Sequence, residues 1–315
     1  MNIGNKHLVA FGTNVYPALG TSATLCQCEN DVMRLSKTMS DILGFSTEIF
    51  IAEQTTKQNI VQTILSRLIT LETMADETKK KSLLVIHRSS HGSQQPDQNG
   101  DEADKADECW MCQDSKWNAA SNTWDSVIID DELVTILKGV DPAKCQVMVI
   151  SDTCNSGTFT RALTPQIVGN RKFVFPRNYK VYKLKRLTDK VKNGRKCRAI
   201  ENQYFVEISE IAWMLFAGAN NNSFSYETSE GGILTSTIIE YIRTHRKDIG
   251  SVDSAAQWIA KEVRNKNSQQ YAHIECPSWY LHKAFLGTED CKDEIKPRCS
   301  NGFMKKLWNA IVFWR

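Results

Sequence analysis

The chain has 315 residues, a formal net charge of +3, 41% hydrophobic and 24% charged residues. These proportions exclude a collagen, a disordered tail and a disulfide miniprotein, and the length allows one large α/β domain or two small ones. No stretch approaches the ~20 apolar residues of a membrane span, and the opening MNIGNKHLVAFGT is too short an apolar run for a secretory leader. A cytoplasmic protein away from membranes is the expectation.

Apolar runs alternate with helical periodicity along the chain. Residues 7–12 (HLVAFG) predict a strand. A helix follows over 29–43, with Val32, Leu35, Met39 and Leu43 on one face. A strand is expected at 47–52 and a helix at 57–74, striped by Ile60, Ile64, Leu68 and Leu71. The fully apolar SLLVIH at 82–87 is a strand, 130–137 a short helix and QVMVIS at 146–151 another strand. Later come a strand at 211–217 and helices at 233–244 and 254–264. Strands apolar on both faces imply a mostly parallel sheet covered on two sides. The alternation breaks over 161–210, read as a linker or insertion between two halves of one sheet. The chain therefore divides into 1–160, a linker at 161–210, 211–288 and a tail at 289–315.

Charge is uneven. Residues 171–198 hold 12 Lys and Arg against one acid, Asp189, which leaves the rest of the chain at −8. The acidic counterpart is DQNGDEADKADE at 97–108. A basic run of this kind is either a nucleic-acid patch or a solvated linker. Few aromatics interleave its cations and no nucleic-acid fold accompanies it, so the linker reading is preferred and no nucleic-acid partner is expected. The ten cysteines are scattered and read mainly as buried thiols. The pairs Cys26/Cys28 and Cys109/Cys112 have spacings zinc uses, but 80 residues separate them.

Two strand ends carry chemistry. Arg88-Ser89-Ser90-His91-Gly92-Ser93 follows SLLVIH, and Asp152-Thr153-Cys154-Asn155-Ser156-Gly157 follows QVMVIS. In an open α/β sheet the reactive groups gather at the carboxyl ends of strands. An imidazole beside a thiol supplies the thiolate nucleophile, and glycines let backbone N–H groups approach a substrate carbonyl. Each half alone is as well explained by a buried thiol or a satisfied histidine; the joint occurrence is much rarer.

The pairing of SSHGSQ with DTCNSG resembles the metacaspase branch of the caspase-like cysteine peptidases. LCQCENDV, NGDEADKADE, IDDEL and, more loosely, LFAGANNN followed by GGILTSTIIEYI extend the resemblance over about residues 5–288. It implies a caspase-like three-layer α/β sandwich whose larger half ends near residue 160 and whose smaller half spans 211–288. It implies a cysteine endopeptidase with His91 as general base and Cys154 as nucleophile. The N–H groups of Gly92 and Cys154 would form the oxyanion hole, and Cys28, Asp31, Ser89 and Asp152 the primary specificity pocket. Two carboxylates there favour Arg or Lys in protein or peptide substrates. Ser89 and Asp152 each stand two residues before His91 and Cys154, so alternation places each pair on one face of an extended segment. Arg88 falls on the opposite face.

The family's pattern also implies a monomer. No cofactor is required; calcium is the one metal for which ligands are implied, at Asp107, Asp130 and Asp131. Arg161 stands where a further acidic ligand is expected. Ser90 replaces a family Gly and would shift the His loop, and Asn220-Asn221-Asn222-Ser223 replaces an acidic motif of the small half. These departures motivate the alternative of a catalytically impaired scaffold that binds partners. An Asp-specific peptidase is opposed by the charge of Asp31 and Asp152. Self-cleavage within 171–198, in an exposed and mobile stretch, is expected if the pocket accepts a cation; the alternative is a basic surface loop that is never cut.

Overall fold

The computed structural model describes residues 3–97, 106–154, 170–174, 205–207, 213–219 and 223–287. In chain order the elements begin β1 (Ile3–Gly12), α1 (Cys28–Leu43), β2 (Ser46–Ile51), α2 (Lys57–Thr78) and β3 (Lys81–Ser89). Then come β4 (Gly92–Pro96), β5 (Ala106–Asn118), β6 (Thr123–Ile129), α3 (Asp130–Leu137) and β7 (Cys145–Asp152). The second half contributes β8 (Asn170–Arg171), β9 (Phe205–Glu207), β10 (Trp213–Ala217), β11 (Tyr226–Thr228) and β12 (Gly231–Gly232). It ends with α4 (Ile233–Thr244), α5 (Val252–Lys266) and β13 (His273–Cys276).

Seven strands form the central sheet in the order β2-β1-β3-β7-β10-β13-β9. The first five are parallel, and β13 runs antiparallel to β10. Period-two alternation sends Leu8, Ala10, Leu83, Val85, Met148 and Ile150 into one core with α1, α4 and α5. It sends Val9, Phe11, Leu84, Ile86, Val147 and Val149 into the other with α2 and α3. This is the expected α/β sandwich with helices on both faces. Each buried aliphatic side chain contributes roughly 1.5–3 kcal/mol, which is why the middles of the central strands, Leu83–Ile86 and Val147–Ile150, are apolar on both faces.

The strand and helix positions read from sequence hold to within a few residues. Two antiparallel additions were not expected. One is the three-stranded sheet β4-β5-β6, and the other joins β12, β11 and β8. Both sit beyond the carboxyl ends of the central strands. α1 ends as its sequence requires: Gly44, at φ 69°, donates to Ser40 O, and Phe45 donates to Met39 O.

The register fixes the site. Ser89 on β3 pairs with both Gly12 on β1 and Asp152 on β7, so three strand ends finish level. His91 and Cys154 leave adjacent strands at this edge. Most of the basic run, Arg161, Asn155, Asn220–Asn222 and the tail at 289–315 lie outside the described residues. Among the described residues no helix is long and apolar enough to cross a membrane.

Candidate active site

His91 is locked in one tautomer. Its Nε2 lies 2.9 Å from the Ala23 carbonyl oxygen, which can only accept, so Nε2 carries the proton and Nδ1 the lone pair. Nδ1 makes no well-formed hydrogen bond, although the Lys172 backbone lies close enough to act on the ring. Burial lowers the imidazole to about 4, against smaller upward pulls from the backbones of Ala23 and Lys172. His91 is therefore neutral at physiological pH, as a base must be. The Tyr16 hydroxyl accepts from His91 N at 2.9 Å, and the two rings lie 5.2 Å apart. Ser90 turns its hydroxyl to the His91 carbonyl oxygen, 2.9 Å away.

Gly92 packs against the Cys154 backbone, and a Cβ there would collide with the Cys154 carbonyl. A glycine is thus required where the two loops meet. The Cys154 thiol is fully buried; it accepts from Ser225 N at 3.0 Å and donates to Ser225 O at 3.1 Å. Burial raises its pKa far above the ordinary thiol value, despite a downward pull from the Ser225 backbone.

Cys28, Asp31, Ser89 and Asp152 converge, and a cation stands among them. It is Lys172, from the linker. Its Nζ lies 2.8 Å from Ser89 Oγ, 3.1 Å from Asp31 Oδ2, 3.3 Å from Asp152 O and 3.4 Å from Asp152 Oδ1. All three charged side chains are wholly buried. Burial would lower the Lys172 ammonium, but the carboxylates of Asp152 and Asp31 outweigh it and hold it charged. Asp152 is the better compensated acid. Burial raises it, yet Lys172, Ser225 Oγ (2.6 Å), Thr235 N (3.0 Å) and Thr235 Oγ1 (2.7 Å) keep it below the ordinary range. Asp31 is pushed up by burial and by Asp152, although Ser89 Oγ donates to it at 2.8 Å and Gly232 N at 2.9 Å. Burial pushes the Cys28 thiol up to about 12 beside Ser89, against the lowering pull of Lys172.

The backbone of 170–174 lies along the site as an extended strand. Gly92 N donates to Lys172 O at 2.8 Å, and Lys172 N donates to Ser225 O at 3.1 Å. β8 pairs antiparallel with β11. Of the stretch 171–198, expected to be exposed, only 171–174 are described residues, and there the expectation fails at Lys172, which has no exposed surface. The physical reason is charge. Two buried carboxylates need a counterion, and the chain itself supplies one.

Sequence reasoning missed several partners. Gly232 floors the pocket, since a Cβ there would lie 2.5 Å from Lys172 Nζ and 2.7 Å from Asp31 Oδ2. Thr235 gives its hydroxyl proton to Asp152, so its oxygen accepts from His87 Nε2 at 3.1 Å. Glu227 accepts from Cys26 N and Gln27 N at 2.9 and 3.1 Å, tying the loop before α1 to β11. Arg88 stays out of the pocket, as alternation implied. It is buried and donates to Thr13 Oγ1 at 2.8 Å and to the Phe11 and Met111 carbonyls.

Asp107 lies on β5, and Asp130 and Asp131 open α3. Burial raises Asp130 to about 6, helped by the charges of Asp131 and Asp107 and opposed by the Asp131 N–H. Carboxylates that repel one another suit a hard cation such as calcium. Yet among the described residues no three His, Cys, Asp or Glu side chains are arranged to hold an ion, the cysteine pairs included. The described residues do not complete a calcium cage. They do set a pH dependence. A carboxyl raised above its unfolded value opposes folding once ionised: its favourable term is full below about 3.8 and lost as pH rises through about 6. Asp130→Asn should therefore stabilise the chain by about 1–3 kcal/mol at pH 7.5 in chelator, and not at pH 3.5. Thermal melts at both pH values check this; an equal gain at both would contradict it.

The family model for the Caspase domain matches residues 5–285. Metacaspase-4 of Arabidopsis thaliana is 32% identical over 154 residues, 48% of this chain and 34% of that protein. Metacaspase-1 of Cryptococcus neoformans is 29% identical over 157 residues, 49% of this chain and 32% of the relative. The match thus spans about a third of the length of these curated relatives. A crystal structure of a Geobacter sulfurreducens protein superposes with a TM-score of 0.61 at 20% identity, covering 90% of this chain and 98% of the other.

Proposed function

Since this chain belongs to the Caspase domain peptidase family, we propose that it is a cysteine endopeptidase of metacaspase type. It cuts after Lys or Arg, with Cys154 as nucleophile, His91 as base and its own Lys172–Phe173 bond as the first substrate. One observation carries the reading. A lysine fills the acidic pocket while its carbonyl oxygen takes the Gly92 N–H, and both features belong to a residue about to be cut.

The reaction follows from the groups present. His91 Nδ1 takes the Cys154 thiol proton, and the thiolate attacks the carbonyl carbon of the basic residue. The oxygen becomes an anion held by Gly92 N–H, and by the Cys154 N–H in the family's pattern. His91 returns the proton to the departing amine. A water, deprotonated by His91, then hydrolyses the thioester and frees the carboxylate.

The fluorescence released from peptides ending in Lys, Arg or Asp tests this, with Cys154→Ala alongside and calcium present or absent. Lys and Arg peptides should turn over at least about 100-fold faster than Asp, since an aspartate would face two carboxylates. Equal cleavage after Asp and Lys would refute the pocket. The competing reading is an inert scaffold, favoured by the buried, hydrogen-bonded Cys154 thiol. It predicts no turnover under any of these conditions.

A further inference from the structure

Lys172 does not end the bound segment. Phe173 forms a parallel bridge with Gly92, and Val174 N donates to Gly92 O at 3.1 Å. Ser93 Oγ donates to Val174 O at 2.8 Å. Ser93 is itself wholly buried and accepts from Trp124 Nε1 at 2.8 Å, which fixes its hydroxyl for this contact. The strand beyond the Lys172 carbonyl is thus hydrogen-bonded to the cleft, like the strand before it.

The side chains alternate as an extended strand requires. Lys172 and Val174 go one way, into the acidic pocket and onto the cluster of Tyr16, Trp124 and Val127. Arg171 and Phe173 go the other way and share Phe224. The Arg171 guanidinium lies 4.8 Å from the Phe224 ring centre, and the Phe173 ring meets it edge-on at 5.8 Å and 65°. These are cation–π and T-shaped aromatic geometries. Phe224 therefore touches residues on both sides of the Lys172–Phe173 bond.

We infer that the cleft has two prime-side subsites, an aromatic one at Phe224 and an aliphatic one at Ser93 and the Tyr16–Trp124–Val127 cluster. It selects proteins in which the Lys or Arg is followed by an aromatic and then an aliphatic residue. The inference rests on reading the cleft as a peptidase cleft and adds the substrate class. An acidic residue at either place would lose apolar contact and leave a carboxylate against aromatic rings.

Two measurements test it. The first needs no catalysis. In the Cys154→Ala chain, hydrogen exchange at the Lys172 and Val174 amides reports docking of the segment. Phe173→Asp and Val174→Asp should each speed that exchange at least 10-fold, whereas Phe173→Tyr and Val174→Ile should not. The second uses the wild-type chain on internally quenched peptides Asn-Arg-Lys-Phe-Val and Asn-Arg-Lys-Asp-Asp. The first peptide should be cut at least 10-fold more efficiently, and Phe224→Ala should shrink that ratio. Unchanged exchange in both Asp variants, or equal cutting of the two peptides, would overturn the inference. Faster exchange in the Asp variants with no peptide cut would uphold the subsites and reject the peptidase reading.

Discussion

Lys172→Ala should unmask Cys154. In the intact chain the thiol is covered and its pKa raised by burial, so iodoacetamide should label it slowly at pH 7.5. Removing the ammonium leaves Asp31 and Asp152 buried without their cation, a loss of about 3–5 kcal/mol for a broken buried pair. The backbone bonds that Lys172 and Val174 make with Gly92 and Ser225 contribute only about 0.5–1.5 kcal/mol each. The segment should leave, water should enter, and each unit by which the thiol falls gives about tenfold more thiolate. We expect labelling of Cys154 to rise at least about 10-fold, read by mass spectrometry of its peptide. Cys26, already exposed, supplies the internal reference. An unchanged ratio of Cys154 to Cys26 labelling would show that Lys172 does not hold the cleft shut.

The second large effect falls on Asp152. Its two oxygens accept from Ser225 and Thr235 and face the cation. An asparagine keeps the shape, removes the charge and turns N–H donors towards donors. Asp152→Asn should cost Lys peptides about 2–5 kcal/mol in kcat/KM, the range for a desolvated charge pair that loses one partner. Asp41→Asn removes an exposed carboxylate paired with Lys37 and should change little. If Asp152→Asn turned over Lys peptides within threefold of the wild type, Asp152 would not be the counterion.

The parts of this site that were legible in the sequence share one cause. Parallel strands buried on both faces must be continuously apolar, so SLLVIH and QVMVIS marked themselves and their ends marked the sheet edge. Alternation then placed Ser89 with His91, Asp152 with Cys154, and Arg88 away from them. Other parts left no such trace. β4, β5 and β6 carry glutamines, acids and lysines among their apolar residues, which breaks the period-two signal. Thr235, Gly232 and Glu227 reach the site by folding of the second half, Glu227 about 200 residues from the loop it anchors. The Gly231-Gly232 doublet before an apolar helix was the one visible sign. Lys172 was hidden among twelve similar cations, because only the chain's path decides which of them meets the carboxylates.

Cleavage of the chain by itself is the decisive measurement. Wild-type and Cys154→Ala proteins are incubated side by side and every new terminus is read by mass spectrometry. The wild type alone should yield one fragment ending at Lys172 and another beginning at Phe173. Intact wild type under conditions where it cuts Lys peptides would contradict it, as would the same cut appearing equally in Cys154→Ala.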